Sequence, residues 1–343
     1  MDSKQFKNKK RYKICVIGGD GIGPEVIRET QKLLSTINVN FEFIEAEAGF
    51  EAFKKYGTSL PQKTIEICKS SDAILFGACT TPPFLKNYFS AIVALRQTLD
   101  LFANVRPFFS LPLPNMRQDI DLIIVRENTE CLYSKRERKT KEGAIAERVI
   151  TKKGCRRIVE FAFELAKKKK RKKITFVHKA NILRLTDGLF LKIAKRISAN
   201  YKEIIFDDKL VDSCAMLLVQ KPQEFDVICT TNLFGDILSD VAAALVGGLG
   251  VCASANVGKK YALFEPVHGS APQLAGKNIA NPLAAFFSAC MMLEYLGKEK
   301  IAKKIKKAIF KTIEKGCLTP DLGGKASTTE VTEEVIFNIK FQK

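Results

Sequence analysis

The sequence has only two histidines, His178 and His268, and none of its ten cysteines form a Cys-x-x-Cys pair. The thiols stand singly at 15, 68, 79, 131, 155, 214, 229, 252, 290 and 317. That pattern lacks zinc-ligand spacing and leaves too few imidazoles for a His/Cys metal site. Several thiols interrupt apolar stretches, as in Ile14-Cys15-Val16 and Ile228-Cys229-Thr230, which suits reduced, buried cysteines in a cytoplasmic protein better than a disulfide scaffold. Long hydrophobic runs are missing too. The uncharged stretch Val241–Gly258 holds four glycines and an asparagine, too short and broken to span a bilayer, and no apolar core of a secretory signal follows the basic start MDSKQFKNKKRYK. No membrane association is expected. No internal repeat or low-complexity linker is visible.

Acid is the remaining shortage. The 343 residues carry 37 Asp+Glu against 56 Lys+Arg, a formal charge of +19. Such an excess points to an acidic partner, whether nucleic acid, an anionic surface or an anionic substrate, and does not choose among them. The 46% hydrophobic and 27% charged content is ordinary for globular chains, and the length allows about two domains.

Short β-branched runs alternate with longer helical patterns. Strands are expected at Tyr12–Ile17, Phe41–Ala46, Ala73–Phe76, Leu122–Val125, Ile174–Val177 and Val227–Thr230. Helices are expected at Pro24–Thr36, Thr64–Ser70, 151–170, 186–199, 233–246, 283–296 and 298–315. This is the rhythm of an α/β fold, with a parallel or mixed sheet flanked by helices. A cleft between two such domains is the default place for a site. Gly18-Gly19-Asp20-Gly21-Ile22-Gly23-Pro24-Glu25 follows a strand and opens a helix, yet its spacing fails the dinucleotide pattern G-x-G-x-x-G, so a tight turn with proline at the helix start also explains it.

Four groups of residues carry possible chemistry. Asp236 and Asp240, four apart near a helix start, could hold Mg²⁺ or Mn²⁺ through hard oxygens, or could merely complement the helix dipole. Arg96, Arg106 and Arg126 would suit a substrate with two or three carboxylates, or could be surface ion pairs. Lys179, at a strand end, and Tyr133 could act as base and acid. The segment Glu265-Pro266-Val267-His268-Gly269-Ser270-Ala271-Pro272 offers backbone donors and an imidazole for a phosphate and a flat base, or is a plain turn. Taken together they compose one consistent reaction site.

The ordered set GGDGIGPE, LRQTLDLFANVRP, VRENTE, VHKAN, LVDSCAM, TTNLFGDILSD, GGLG, EPVHGSAP, IANP and TPDLGG resembles the isocitrate/isopropylmalate dehydrogenases over nearly the whole chain. The resemblance implies a two-domain fold that is not a Rossmann fold. One domain would comprise 1–101 with 248–343, and 102–247 would carry the metal ligands and the dimer interface. It implies that Arg96, Arg106 and Arg126 bind the malate carboxylates. Asp236 and Asp240 would hold the metal with Asp212 of a partner subunit, and Lys179, also of the partner, would be the base. Tyr133 would protonate the carbanion. Asn181, Glu265, His268, Gly269, Ser270, Ala271, Gln273 and Asn281 fall at cofactor-binding positions. A homodimer with shared sites is implied, and pairing beyond the dimer is left open.

Departures from the family pattern carry information. NAD-using members show Asp-Ile where this chain has Gln273-Leu274, whereas NADP-using isocitrate enzymes carry Tyr and Arg near Pro320 and Gly324. NAD is the expected acceptor, with NADP not excluded. Cys131 stands where relatives carry glycine or a polar residue. Substrate choice should depend on Ser90, Ile92 and Val93 ahead of Arg96, a hybrid of the Ser-x-Asn of isocitrate enzymes and the apolar pair of isopropylmalate enzymes. EAGFEAFKKYG, KNYFSAIVALR and AIAERVITKKG are most similar to homoisocitrate dehydrogenases, which ranks homoisocitrate first, 3-isopropylmalate second and isocitrate third. The rival class is a nucleic-acid-binding protein on the same fold. It rests on the seven consecutive basic residues Lys167–Lys173, the N-terminal tail and the lysines of 298–307, none interleaved with aromatics.

Overall fold

A computed structural model describes residues 10–82, 84–85, 88–113 and 116–341; the basic tail before Lys10 lies outside the described residues. The chain divides into two compact units, Met1–Leu99 with Gly250–Ala253 and Tyr261–Lys343, and Asp100–Leu249 with Ser254–Lys260.

The first unit begins with β1 (Arg11–Gly19), α1 (Gly23–Ser35), β2 (Asn40–Glu45), α2 (Phe50–Tyr56), α3 (Gln62–Ser70), β3 (Ala73–Ala78) and α4 (Ala91–Thr98). β1 pairs in parallel with β2 on one side and β3 on the other. β3 is buried at every residue, as expected of a strand covered on both faces. The glycine-rich turn after β1 is a packing device. Gly19 has φ +76°, and a Cβ there would lie 2.0 Å from the Ala78 carbonyl oxygen, so only glycine allows that approach. The Asp20 carboxylate accepts backbone N–H bonds from Phe50 (2.8 Å), Glu51 (3.0 Å) and Thr80 (2.7 Å), tying the turn to the start of α2 and the loop after β3.

The middle unit runs β4 (Ala103–Phe109), β5 (Asp121–Glu127), the hairpin β6 (Glu137–Lys139) and β7 (Ala144–Ala146), α5 (Lys152–Lys168), β8 (Lys173–His178), α6 (Thr186–Ser198), β9 (Ile205–Leu210), α7 (Val211–Gln220), β10 (Val227–Thr230), α8 (Asn232–Leu245) and β11 (Ala253–Val257). Its sheet order is β11-β4-β5-β10-β8-β9. β4 is antiparallel to β5 and to β11, and the remaining pairs are parallel, so the sheet is mixed. The middle unit is therefore not confined to 102–247: β11 returns to it because Asn104 donates to Ser254 Oγ (2.7 Å) and Asn256 Oδ1 (2.8 Å) in the interior. The first unit closes with β12 (Ala262–Pro266), parallel to β3, followed by α9 (Leu283–Tyr295), α10 (Glu299–Glu314) and α11 (Thr328–Lys340). α9 is apolar nearly all round and buried along its length, whereas Ser327 and Glu330 form a capping box at the start of α11.

All ten cysteines are free, and eight are buried. Burial pushes the thiols of Cys155, Cys214 and Cys290 up to about 12, which keeps them protonated and unreactive. Among the described residues, no helix is long and apolar enough to cross a membrane. The basic run 167–173 covers the end of α5 and the turn into β8, where Arg171 pairs with Asp121 (2.5 Å) and Asp226 (3.0 Å).

Candidate active site

Strand register assembles the centre of the middle unit. Asn104 lies opposite Arg126 and Arg106 opposite Ile124, which puts Arg106 and Arg126 on one face of the β4/β5 ladder. Arg126, only 1% exposed, ends β5 beside the N-terminus of α8. Its Nε and Nη2 donate to Asn232 Oδ1 (2.9 and 2.7 Å), and its Nη1 pairs with Asp236. Gly235 makes this possible: a Cβ at that position would lie 2.6 Å from Arg126 Cγ. Arg106 Nη1 approaches the same Asp236 carboxylate at 3.8 Å.

Tyr133 sits in a short turn after Cys131, whose φ of +68° bends the backbone out of β5. The Tyr133 hydroxyl donates to Asp236 Oδ2 at 2.5 Å, and the Arg126 guanidinium carbon lies 4.9 Å from its ring centre. Burial first, then the hydrogen bond to Asp236, hold the phenol above its usual range, so it keeps its proton at neutral pH. That is the state a proton donor needs. Asp240, one turn beyond Asp236, has its carboxyl raised by desolvation, lowered in part by Arg106 and raised again by Asp236. Two carboxylates that disfavour each other's charge form the donor pair a divalent cation relieves, and the hard-oxygen chemistry fits Mg²⁺ or Mn²⁺.

A second pair stands in the same unit. Lys179 follows β8, its backbone N–H held by Asp187 Oδ2 at 2.6 Å, and its ammonium lies 2.7 Å from Asp212 at the start of α7. The Lys179 hydrogen bond holds the Asp212 carboxyl below its usual range. No hydrogen bond or ion pair joins this pair to Asp236 among the described residues, and no three acidic, histidine or cysteine side chains there gather as a metal cluster. Asn181 is exposed in the turn after Lys179.

The first unit holds the remaining residues. Arg96, buried in the last turn of α4, pairs with Glu265 at the end of β12 (2.8 Å), while its Nε has no hydrogen-bond partner among the described residues. Ser90 caps α4 by backbone alone, its hydroxyl making no capping bond, and Ser90, Ile92 and Val93 are half-buried. The loop after β12 is fixed by Ser270, whose carbonyl accepts from Ile22 N (2.8 Å) and whose hydroxyl meets that of Thr80 (2.7 Å). Gly269 is exposed, Ala271 adopts a left-handed φ of +35°, and Gln273 is exposed in the turn Pro272–Leu274. His268 Nδ1 donates to the Gly269 carbonyl (2.9 Å), which leaves Nε2 an acceptor, buried and without a partner. Burial lowers the His268 pKa, so the ring is neutral. An orphaned acceptor beside a glycine loop fits the adenosine end of a dinucleotide. Asn281 is committed to structure at both ends: Nδ2 donates to Asp321 (3.0 Å) and Oδ1 accepts from Leu283 N (3.0 Å).

Asn232 and Gly235 were not singled out by the sequence reading, although both lie inside TTNLFGDILSD. Their signal was spacing: one turn separates Asn232 from Asp236 on a helix that begins directly after a buried strand.

The chain is similar to known proteins of one family over nearly its whole length. The family model described as isocitrate/isopropylmalate dehydrogenase matches residues 13–335. The isocitrate/homoisocitrate dehydrogenase of Thermus thermophilus is 52% identical over 96% of this chain and 99% of its own length. The 3-isopropylmalate dehydrogenase of Methanothermobacter thermautotrophicus is 50% identical over 95% and 98%. Among solved structures, the isocitrate dehydrogenase of Methylococcus capsulatus superposes with a TM-score of 0.92 at 44% identity, covering 96% of this chain and 99% of that one.

Proposed function

The chain belongs to the isocitrate/isopropylmalate dehydrogenase family and is a β-decarboxylating dehydrogenase, and we propose that its substrate is a homoisocitrate-type 3-substituted malate oxidised with NAD. The observation that carries the substrate reading is one side of α4. Ser90, Val93 and Arg96 recur at three-residue intervals, so a hydroxyl, an aliphatic group and a guanidinium follow one another along neighbouring positions of the helix. A substituent with an aliphatic stem and a terminal carboxylate matches that sequence of groups. A purely apolar substituent would leave the Ser90 hydroxyl unused. The mixed names of the relatives do not decide between these acids.

Arg106 and Arg126, with Arg96, are assigned to the substrate carboxylates, where planar guanidinium donors match carboxylate oxygens in pairs. Asp236 and Asp240, joined by Asp212 of a second copy in a homodimer, would hold Mg²⁺ or Mn²⁺. The bound cation would draw charge from the C2 oxygen and the nicotinamide would accept the C2 hydride. Lys179, also of the second copy, would take the C2 hydroxyl proton, its side-chain nitrogen standing 2.7 Å from Asp212. Tyr133, held protonated, would deliver a proton to C3 after the β-carboxylate leaves as CO₂. His268, with the backbone of Gly269, Ser270 and Ala271 and with Asn181, Glu265, Gln273 and Asn281, is assigned to the cofactor. No carboxylate stands at Gln273 to repel a 2′-phosphate, so NADP would serve as a weaker second acceptor.

The test is turnover of homoisocitrate, 3-isopropylmalate and isocitrate by the purified protein with Mg²⁺ and either cofactor, followed as reduced cofactor and released CO₂. The highest kcat/KM is expected for homoisocitrate with NAD. Turnover of none of the three would sink the functional assignment.

A further inference from the structure

The middle unit carries a second concentration of positive charge, made of residues assigned to neither substrate nor cofactor. A groove of about 1000 Å³ is lined by the first turns of α5, by α6, by Asp100 and Phe102 ahead of β4, and by Lys259 after β11. α5 contributes Lys152, Lys153, Arg156 and Arg157, and α6 contributes Lys192 and Arg196. Asp100 and Glu160 are the only carboxylates in the lining. Arg157 is neutralised by Asp100 (2.7 Å) and Glu127 (3.5 Å), and Arg156 lies 3.7 Å from Glu160. Lys152, Lys153, Lys192, Arg196 and Lys259 make no ion pair among the described residues.

Two features set this groove apart from a solvated lysine surface. Lys152 and Arg156, and again Lys192 and Arg196, are like charges four residues apart on a helix, an arrangement that repels. Between the cations, half-buried Leu189 and buried Ile193 line the groove from one side of α6, so an aliphatic stretch lies beside the charges. A cavity of this size and lining takes a molecule with a cluster of negative charges at one end and a flat, weakly polar body at the other.

We propose that this groove binds a nucleoside triphosphate, with its phosphates on the α5 and α6 cations and its base against Leu189 and Ile193. Bound phosphates relieve the side-chain repulsion, so the ligand favours the folded chain. Extended single-stranded nucleic acid is the less fitting occupant, because no exposed aromatic in the lining offers successive bases a stacking surface.

The experiment is calorimetric titration of the full chain with ATP at ionic strength of about 0.15 M, where charges are screened beyond about 8 Å. Inorganic tripolyphosphate, NADH and a short single-stranded RNA serve as comparison probes. Lys192→Glu combined with Arg196→Glu should weaken ATP binding about tenfold or more while leaving dehydrogenase turnover and melting temperature in place. The neutral pair Lys192→Gln with Arg196→Gln removes repulsion without adding charge, and should weaken ATP in the same direction even if the reversed pair does not fold. Absence of ATP binding would overturn the proposal, as would ATP binding that NADH displaces and the α6 variants leave unchanged. Tripolyphosphate binding as tightly as ATP would overturn the nucleoside assignment, and RNA binding more tightly than ATP would overturn it in favour of nucleic acid.

Discussion

The middle unit and the first unit present their functional side chains in opposite ways. Around Asp236 the groups close on one another: Arg126, Arg106 and Tyr133 all converge on one carboxylate, and Asn232 accepts from Arg126 Nε and Nη2. Among the candidate site residues of the first unit, Arg96 Nε and His268 Nε2 are buried without a hydrogen-bond partner among the described residues, and the Ser90 hydroxyl makes no capping bond. A closed network holds charges in place before any ligand arrives, which would preorganise the groups assigned to the reacting carbons. Open donors and acceptors are completed only by the right ligand, which is where selectivity between similar acids or cofactors arises. On the proposed assignment, chemistry and choice are divided between the two units.

Breaking the closed network should have the largest effect. Asp236→Asn leaves Arg126 and Arg106 without their shared carboxylate and removes a proposed metal ligand. Turnover should fall by about three orders of magnitude or more, with the fold retained by circular dichroism. Unchanged metal-dependent turnover would refute the role of Asp236. Tyr133→Phe keeps the ring beside Arg126 and deletes only the proton. It should lower kcat by about 10²–10⁴ with little change in KM, and a loss confined to KM would show that the phenol binds rather than protonates.

The division between the units also explains what could be read from the sequence. The parallel strands β1, β3, β8 and β10 and the long helices α1, α5, α6, α8, α9 and α10 were legible within a residue or two, because each carries a clear apolar period between turn signals. β4 was not: Pro107 and Arg106 interrupt its apolar pattern, and its place is set by antiparallel pairing with β5 and β11 over long sequence distances. β12 is short and runs into a proline, and the helices α2, α7 and α11 gave no expectation of their own. At the site, residue types and motif order identified Arg106, Arg126, Tyr133 and Asp236, whose meeting the structure shows. The supporting roles of Asn232 and Gly235 depend on how α8 approaches β5, a tertiary fact that the one-turn spacing of Asn232 and Asp236 does not fix. Similarly, Asp20 looked like part of a glycine loop and proves to be the acceptor that ties β1 to α2.

Effects in the first unit should be smaller and should alter choice rather than rate. Gln273→Asp restores a carboxylate in an exposed turn, and the ratio of kcat/KM with NAD to that with NADP should rise about tenfold. A ratio that does not move would mean that Gln273 lies outside the ribose contact. The smallest effect concerns His268. Burial depresses its pKa below the ordinary value of 6.5. Between the two values the unfolded chain binds more protons than the folded one, so this residue's contribution to stability is present at neutral pH and is lost as pH falls below about 6.5. Melting temperatures recorded from neutral to mildly acidic pH should therefore decline more steeply in the wild-type protein than in His268→Gln.

The claim that one side of α4 selects the substrate is tested most directly by a single ratio, kcat/KM for homoisocitrate over that for 3-isopropylmalate, in the wild-type protein and in Ser90→Ala. Removing a hydroxyl that serves only a polar substituent should lower the ratio about tenfold, chiefly through the homoisocitrate value. A ratio that is unchanged, or that rises, would contradict the account.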